Sequence, residues 1–314
     1  MEITTFQPHY LPDMAALFVR NFKALRQSVP ILPDLLEQPE RVMTMLRDWL
    51  ANCPGVLALD GGAVVGYIGW FVVDHFRETE RRGTYVPEWG HAAVDPATYR
   101  AMYRAAAQYW HESGCGVHAI SILAHDDAAV KAWFWNGFGM AVVDAIRPIA
   151  PLGIAPPPGI EIRKATPADL DALCALEVEH ARHYTEPPVQ MSAYEPRNAA
   201  ALTAFMSEPG NSLWLALDGT DVMGYMRFEA NSHGASAIVD APDKVANTGA
   251  FVRPAYRGRR VAPALLDAAL RDYAAQGFAR CSVDFESFNP EAANFWLRYF
   301  APVTFSLMRI PERP

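Results

Sequence analysis

The feature that most constrains the fold of this chain is an internal repeat with a period of about half its length. Residues 57–67 read LALDGGAVVGY and residues 215–225 read LALDGTDVMGY, and eight of these eleven positions are identical at an offset of 158. Two further blocks follow in the same order at nearly the same spacing: residues 13–17 resemble 169–173, and residues 91–96 resemble 249–254. A glycine turn between apolar runs is common by chance, but three ordered blocks are not. Because solenoid repeats are only about 20–50 residues long, this period predicts two copies of a whole domain.

A proline-rich segment separates the two copies. Between Arg147 and Gly159, five of thirteen residues are proline and two are glycine. Since proline lacks the amide hydrogen that helices and central strands use, we expect this segment to carry neither and to act as a stiff linker. The sequence therefore predicts an N-terminal domain at 1–150, a linker at 151–159 and a C-terminal domain at 160–314.

Composition excludes several classes of protein. Half of the 314 residues are apolar (51 %) and a fifth are charged (20 %), which is typical of a globular protein with a full core. The net charge of −8 argues against nucleic acid or an anionic membrane surface as a partner. The four cysteines are far apart and form no CxxC pair, so we expect reduced thiols. With no predicted signal peptide and no apolar run of about 18 residues, we expect a cytoplasmic protein that does not span a membrane.

The order of elements predicted for the second copy is β-α-α-β-β-β-α-β-α-β, which favours an α/β fold with a mixed sheet. Thr166-Pro167-Ala168-Asp169 has the pattern of a helix N-terminus, and Val261 to Gln276 has one apolar face. Strands are predicted at 160–163, in a hairpin at 212–229, and at 247–252, 280–286 and 303–310, and further helices at 198–207 and 291–299.

The turn from Val252 to Ala262 connects a strand to a helix and contains four arginines. Backbone N–H groups at the start of a helix, together with the helix dipole, favour an anion such as phosphate. Gly258 can adopt positive φ and allow the backbone to approach a ligand closely. The alternative is a solvated basic turn. Neither a Walker loop nor a GxGxxG pattern is present.

The turn and the element order resemble the GNAT family of N-acetyltransferases over nearly the whole chain. The coenzyme motif of this family, [QR]-x-x-G-x-[GA], matches Arg257 to Ala262 except at Arg260, which stands where the family has its middle glycine. Asn289 follows the next strand, and Phe295-Trp296 lies where the family usually has an aromatic pair. The resemblance implies two tandem domains of the GNAT type, each a twisted mixed β-sheet flanked by helices.

The resemblance also implies the reaction and its co-substrate. An acetyl group would pass from acetyl-CoA, without a metal, to a primary amine of a small molecule or peptide, in the C-terminal domain. The pantetheine arm would lie between strands 247–252 and 280–286, pairing with the backbone of Phe251 and Arg253, and the Val252 N–H would stabilise the oxyanion. The residues that would bind acetyl-CoA are Phe251, Val252, Arg253, Arg257, Gly258, Arg259, Arg260, Val261, Ala262, Asn289 and Trp296.

The acid and base are less directly indicated. The family often protonates the thiolate with a tyrosine in the last helix, where this chain has Phe295-Trp296; Tyr299, one turn later, is the substitute, unless it only packs in the core. Glu286 is the candidate base, with Asp284 and Glu229 as alternatives. His180 and His183 have the spacing of a metal pair but no third ligand in sequence, so we expect no metal site.

Two other functions and one asymmetry between the copies follow from the sequence. The chain could be a non-catalytic acyl-CoA-binding or sensing protein, or an acetyltransferase for a sugar amine that is similar to mycothiol synthase.

The segment from Val94 to Gly114 is five residues shorter than its counterpart from Val252 to Gly277, and Asp95 stands where the second copy has its arginine-rich turn. Because a carboxylate repels phosphate, we expect residues 1–150 not to bind CoA and to serve as scaffold and as a wall of the acceptor cleft.

Overall fold

The structure is a computed structural model that describes residues 1–192, 194–230 and 236–312. Each half begins with a strand and two helices and continues with a hairpin, a further helix, a strand and a short helix. The N-terminal half contains β1 (Glu2–Thr5), α1 (Leu11–Ser28), α2 (Pro39–Leu50), β2 (Gly55–Asp60), β3 (Ala63–Gly69), β4 (Phe71–Val73), β5 (Gly83–Val86), β6 (His91–Ala93), α3 (Pro96–Glu112), β7 (Val117–Leu123), α4 (Asp127–Trp135) and β8 (Gly139–Pro148). The C-terminal half contains β9 (Ile160–Lys164), α5 (Leu170–Thr185), α6 (Ala199–Ser207), β10 (Ser212–Asp218), β11 (Asp221–Glu229), β12 (Lys244–Val252), α7 (Val261–Ala275), β13 (Arg280–Glu286), α8 (Pro290–Trp296) and β14 (Ala301–Arg309).

The repeated sequence blocks form equivalent hairpins. Leu57 pairs with Tyr67 in the β2–β3 hairpin as Leu215 pairs with Tyr225 in β10–β11, and both pairings shift register at the same place, after the alanine that follows the leucine. The next strand shows that the sequence comparison was one residue out. Gly66 pairs with Ala93, whereas Gly224 pairs with Val252, so the offset grows from 158 to 159 there. The residue equivalent to Val252 is therefore Ala93 and not Val94.

The two halves exchange their last strands. Among the described residues, the larger sheet has ten strands in the order β4-β5-β7-β14-β8-β13-β12-β11-β10-β9, and β1, β2, β3 and β6 form a separate sheet. Strand β8 thus pairs with β13 of the other half, and β14 pairs with β7. The mixed α/β fold is as predicted, but this exchange was not predicted, and strand pairing does not follow the domain boundary expected near residue 155.

The expectation that no strand enters the 147–159 segment is wrong at its start. Arg147 and Pro148 are the last residues of β8, which lies inside the ten-stranded sheet, and Pro148 stands opposite Arg280. Proline is tolerated there because it ends the strand and its missing N–H removes no interior ladder bond. After it, the amides of Leu152 and Gly153 both donate to Asp267 on α7, at 2.6 and 2.7 Å.

Helices cover both faces of the C-terminal part of the sheet. The apolar face of α7 is buried as predicted, and with α8 it packs on one face against strands that include β12 and β13. Helices α5 and α6 pack on the opposite face over β10 and β11. The chain enters α5 at the predicted helix N-terminus, through a capping box in which Thr166 and Asp169 each bond the backbone of the other. In the described part of the chain, no helix is long and apolar enough to cross a membrane.

Candidate functional site

Strands β12 and β13 run side by side only over their first residues and then separate. Lys244–Asn247 pair in parallel with Arg280–Val283, and beyond them β12 pairs only with β11. A β-bulge marks the change: Asn247 and Gly249 stand opposite consecutive residues of β11, which leaves Thr248 as the extra residue. The main cavity, of about 940 Å³, lies at this divergence. Its volume is that of a site for a small molecule or cofactor.

The backbone groups that face the gap are those of Ala250 and Val252. The Arg253 N–H donates to the Met223 carbonyl of β11 at 2.9 Å. Because such bonds involve every second residue of an antiparallel strand, Phe251 also faces β11, whereas Ala250 and Val252 face away from it. The expectation that the backbone of Phe251 and Arg253 receives the pantetheine arm is therefore wrong. The Val252 N–H lies on the open side, and the Val252 carbonyl accepts from Arg257 Nε at 3.0 Å.

The turn after β12 requires left-handed backbone at two positions. Gly258 has φ +75° and Arg260 has φ +63°. Arg260 stands where the family motif has its middle glycine, so the structure gives the physical reason for that glycine: it adopts positive φ without the strain that a Cβ brings. In this chain Arg260, the residue just before α7, adopts this strained conformation. Within the described residues no side chain caps this helix N-terminus, and its first residues, Val261 and Ala262, line the cavity together with Gly258 and Arg260.

Only two of the four arginines of the turn line the cavity. Arg257 and Arg260 do, and the Arg257 guanidinium also pairs with Glu291 at 3.0 Å. The side chain of Arg253 turns away into a pair with Glu179 at 2.8 Å. Arg259 lies over the ring of Tyr256 instead. Of the four arginines predicted to bind acetyl-CoA, Arg253 and Arg259 thus do not line the cavity with their side chains.

The corresponding gap of the N-terminal half is filled by side chains. His91, on β6, is buried and contacts the Ser121 carbonyl of β7 at 2.8 Å and the Tyr99 hydroxyl of α3 at 3.0 Å. At the start of α3, the Asp95 carboxylate accepts from the Thr98 amide at 2.8 Å. The helix end that would receive a phosphate is therefore already capped by a negative charge.

The predicted catalytic residues all line the main cavity, with different surroundings. The ring of Tyr299 packs on Phe295, one turn beyond Trp296. The carboxylate of Glu286 is paired with Arg77 of the N-terminal half at 3.0 Å. Asp284 lies two residues before Glu286 on β13. Its side chain is exposed to the cavity, and partial desolvation by the surrounding protein, together with the nearby carboxylates of Asp144 and Glu286, raises the pKa of Asp284 to about 7.

Asn289 and Trp296 hold the helix beside the cavity. Asn289 is the N-cap of α8, where its side-chain oxygen accepts from the Ala292 amide, and its Nδ2 donates to His183 Nε2 at 3.3 Å. Trp296 is nearly buried among the core residues under α8 while still lining the cavity. Both predicted residues are therefore at the site, each with a structural role as well.

A buried polar network forms the wall on the α5 side. Glu177 and Arg227 make a fully buried ion pair with 2.8 Å between Oε1 and Nη1, and the Tyr225 hydroxyl joins it. His180 shares a hydrogen bond with that hydroxyl at 2.7 Å, and burial holds its pKa well below the ordinary value. His180 is thus a neutral structural residue. No group of three metal-ligating side chains occurs in the described residues.

Sequence reasoning missed several residues that reach the cavity from distant segments. Tyr184, Tyr194 and Asn247 line it, and Arg77 reaches Glu286 from the other half. Their side chains carry no motif at local spacing, so only the fold reveals them. His183, considered in the sequence only as part of a metal pair, lines the cavity as well.

Comparison with known proteins agrees with this geometry. Residues 176–301 match the model of the acetyltransferase (GNAT) family. A GCN5-related N-acetyltransferase from Sphaerobacter thermophilus superposes with a TM-score of 0.55 at 16 % identity, covering 100 % of this chain and 96 % of that one. A fungal multi-domain β-N-acetylglucosaminidase with a GCN5-related glucosamine N-acetyltransferase region gives 0.52 at 13 % identity, over 98 % of this chain and 38 % of that one. No curated protein matches significantly by sequence.

A tandem GNAT protein from the clavulanic acid biosynthesis pathway also matches, with a TM-score of 0.48 at 12 % identity over 98 % of each chain. Residues 176–301 thus form a GNAT-family domain, and the chain as a whole has the GNAT fold. The family resemblance and the fold class that the sequence predicted are confirmed.

Proposed function

We propose that this protein transfers an acetyl group from acetyl-CoA to a primary amine, with the active site in its C-terminal half. The observation that carries this proposal is the gap between β12 and β13, which opens at the uncapped N-terminus of α7 between Arg257 and Arg260. An extended thioester with a phosphate-rich end has the shape and charge for such a gap.

Different residues of the gap bind different parts of acetyl-CoA. The pyrophosphate lies against the amides of Val261 and Ala262, which keep their donors free, and against the guanidinium groups of Arg257 and Arg260. The pantetheine arm follows the free edge of β12, where Ala250 and Val252 present their N–H and carbonyl groups as a strand edge does to an added peptide.

The reaction is a nucleophilic attack by a neutral amine on the thioester carbon. The Val252 N–H faces the gap and donates to the oxyanion of the tetrahedral intermediate. Tyr299 donates a proton to the departing thiolate, and a carboxylate on β13 (Glu286 or Asp284) removes the proton from the acceptor amine. Holding the amine against the thioester supplies much of the rate.

The N-terminal half takes no CoA in this proposal, because His91 fills its gap and Asp95 caps its helix. Its fold then serves to wall the acceptor side of the C-terminal site. The glucosamine N-acetyltransferase region of the fungal neighbour makes glucosamine one acceptor to include in a screen.

Titration of the full chain with CoA in a calorimeter tests the proposal. We expect one site per chain, and we expect Arg257→Glu to weaken binding by about 2 kcal/mol or more, since it replaces a charge-assisted contact by repulsion. Arg100→Glu, an exposed charge reversal on α3, is the matched control and should leave affinity unchanged. Two sites per chain, or equal affinity in the Arg257→Glu protein, would overturn the proposal.

A further inference from the structure

A second cavity meets the main cavity at Asp284 and Glu286, which line both. It has a volume of about 550 Å³ and is lined by Arg77, Tyr85 and Glu88 of the N-terminal half together with β8, β13 and β14. The exchange of β8 and β14 between the halves brings these segments together. The space beside the proposed acetyl-transfer point is therefore built by both halves.

The main cavity passes through the gap between β12 and β13 and is lined by α5 as well as by α7 and α8, so it reaches both faces of the sheet. Val283 and Phe285 point to the face covered by α7 and α8, where the turn from Val252 to Ala262 leads into α7. Because side chains alternate along a strand, Asp284 and Glu286 point to the other face. Asp144 of β8 stands directly opposite Asp284 in the ladder and shares that face. A ligand in the second cavity thus meets these carboxylates from the side away from the coenzyme turn.

Asp284 and Glu286 differ in what they are free to do. Glu286 is paired with Arg77 at 3.0 Å, which holds its side chain in place. In the part of the chain that the structure describes, no cation pairs with the Asp284 carboxylate, which is open to the cavities. Among the charged and titratable groups around it, Asp144 and Glu286 raise its pKa and Arg77 lowers it, and Tyr184 of α5 lies within electrostatic range.

An independent observation points to ligand binding at the position where β12 and β13 begin to separate. Asn247 is the last residue of β12 that pairs with β13, and it lines the main cavity there. Its side chain is 2 % exposed, and its Nδ2 has no hydrogen-bond partner among the described residues. A buried amide donor left unpaired costs roughly 1–3 kcal/mol, so its position favours a polar acceptor atom of a bound ligand.

On the basis of the acetyl transfer proposed above, we propose that Asp284 is the base of the reaction and that a cationic acceptor amine reaches it through the second cavity. The acceptor arrives as R–NH3⁺ and gives one proton to the Asp284 carboxylate. The neutral nitrogen then attacks the thioester carbon, the C–N bond forms and the C–S bond breaks. Tyr299 protonates the CoA thiolate and recovers the second nitrogen proton, and Asp284 returns its proton to water.

The charge of the second cavity selects the acceptor. Four carboxyl groups, those of Glu88, Asp144, Asp284 and Glu286, line it, against one guanidinium, that of Arg77. Burial raises the pKa of Glu88 and Asp144, and a bound ammonium group favours the ionised form of these two. An acceptor with a second ammonium group is attracted there, and one with a carboxylate is repelled. The acceptor class that fits is a small diamine or another amine without an acidic group.

Two probes of equal length test the selection: 1,4-diaminobutane and 4-aminobutanoate. With wild-type protein and acetyl-CoA, thiol release should show kcat/KM at least ~10-fold higher for the diamine. Failure of the protein to bind CoA in a calorimeter would overturn the proposed function itself. CoA binding with acetylation of neither probe, or with preference for 4-aminobutanoate, would overturn the acceptor class alone.

Variants test the base. Asp284→Asn should lower kcat for the diamine by ~10²-fold, leave CoA affinity unchanged and abolish the rise of activity with pH through about 7. Asp48→Asn, an exposed change of the same type on α2, is the matched control. Glu286→Gln should keep the pH inflection. An inflection that survives in Asp284→Asn and disappears in Glu286→Gln would assign the base to Glu286 and refute the inference.

Discussion

Replacing Arg260 by glycine relieves the backbone strain of the turn from Val252 to Ala262, and comparison with an alanine variant separates this strain from the charge. Arg260 has φ +63° and ψ +20°, and its side chain is exposed. A residue with a Cβ loses roughly 1–2 kcal/mol in this conformation, and glycine does not. Glycine in turn adds roughly 0.4–1 kcal/mol of unfolded-state entropy. The balance predicts that Arg260→Gly raises the free energy of unfolding by about 0.5–1 kcal/mol.

Arg260→Ala is the matched variant, because it removes the same guanidinium and keeps the strained Cβ. We expect its stability to stay within about 0.5 kcal/mol of wild type, as for other exposed substitutions. Both variants lose a charge that lines the cavity, so both should bind CoA about tenfold more weakly. We therefore expect Arg260→Gly to be more stable than wild type and to bind CoA more weakly.

Urea denaturation followed by tryptophan fluorescence measures the stabilities, and calorimetry measures CoA affinity. Gly258→Ala supplies the reverse test, because its φ is +75° and no atom lies within 4 Å of an added Cβ. With no steric clash, strain alone should destabilise it by roughly 1 kcal/mol. Equal urea midpoints for Arg260→Gly and Arg260→Ala would refute the argument that this position requires glycine-like backbone.

Three further predictions concern other parts of the site. Tyr299→Phe removes only a hydroxyl and should lower turnover by ~10²-fold with CoA affinity intact; a loss of less than twofold would show that the tyrosine only packs. Glu177→Gln leaves Arg227 charged and buried without its counter-ion, and should destabilise the protein by roughly 3–5 kcal/mol in urea denaturation. Because the pKa of Asp284 is raised to about 7, its folded form holds a proton that the unfolded chain releases near its ordinary pKa, so stability falls as pH rises between these values. Asp284→Asn should therefore raise the melting temperature more at pH 8 than at pH 4, and an equal shift at both would contradict this.

Local pattern was sufficient for the elements of the second half. The apolar face of α7, the helix start at Thr166 and the hairpin that turns after Asp218 were predicted with small errors at their ends. Such features depend on residues within one or two turns of each other, where the spacing of apolar side chains and capping groups acts directly.

Part of the site was also readable from the sequence. The turn from Val252 to Ala262 was singled out by its arginines, and the separation of β12 and β13 followed from the family resemblance. The direction of each arginine side chain was not readable, because only packing decides that Arg253 turns to Glu179. The backbone expectation failed because it depends on which residue of β12 begins the alternation against β11, and this is fixed by the bulge at Thr248.

The sequence by itself indicated two similar halves and placed an arginine-rich turn between a strand and a helix in the second of them. Only the tertiary structure decided that β8 and β14 change places, that Arg77 reaches Glu286, and that Asp144 lies opposite Asp284. The paired residues are 209 positions apart in one case and 140 in the other. Strand pairing between distant segments depends on packing over the whole sheet, and no spacing along the chain encodes which strand will lie beside which.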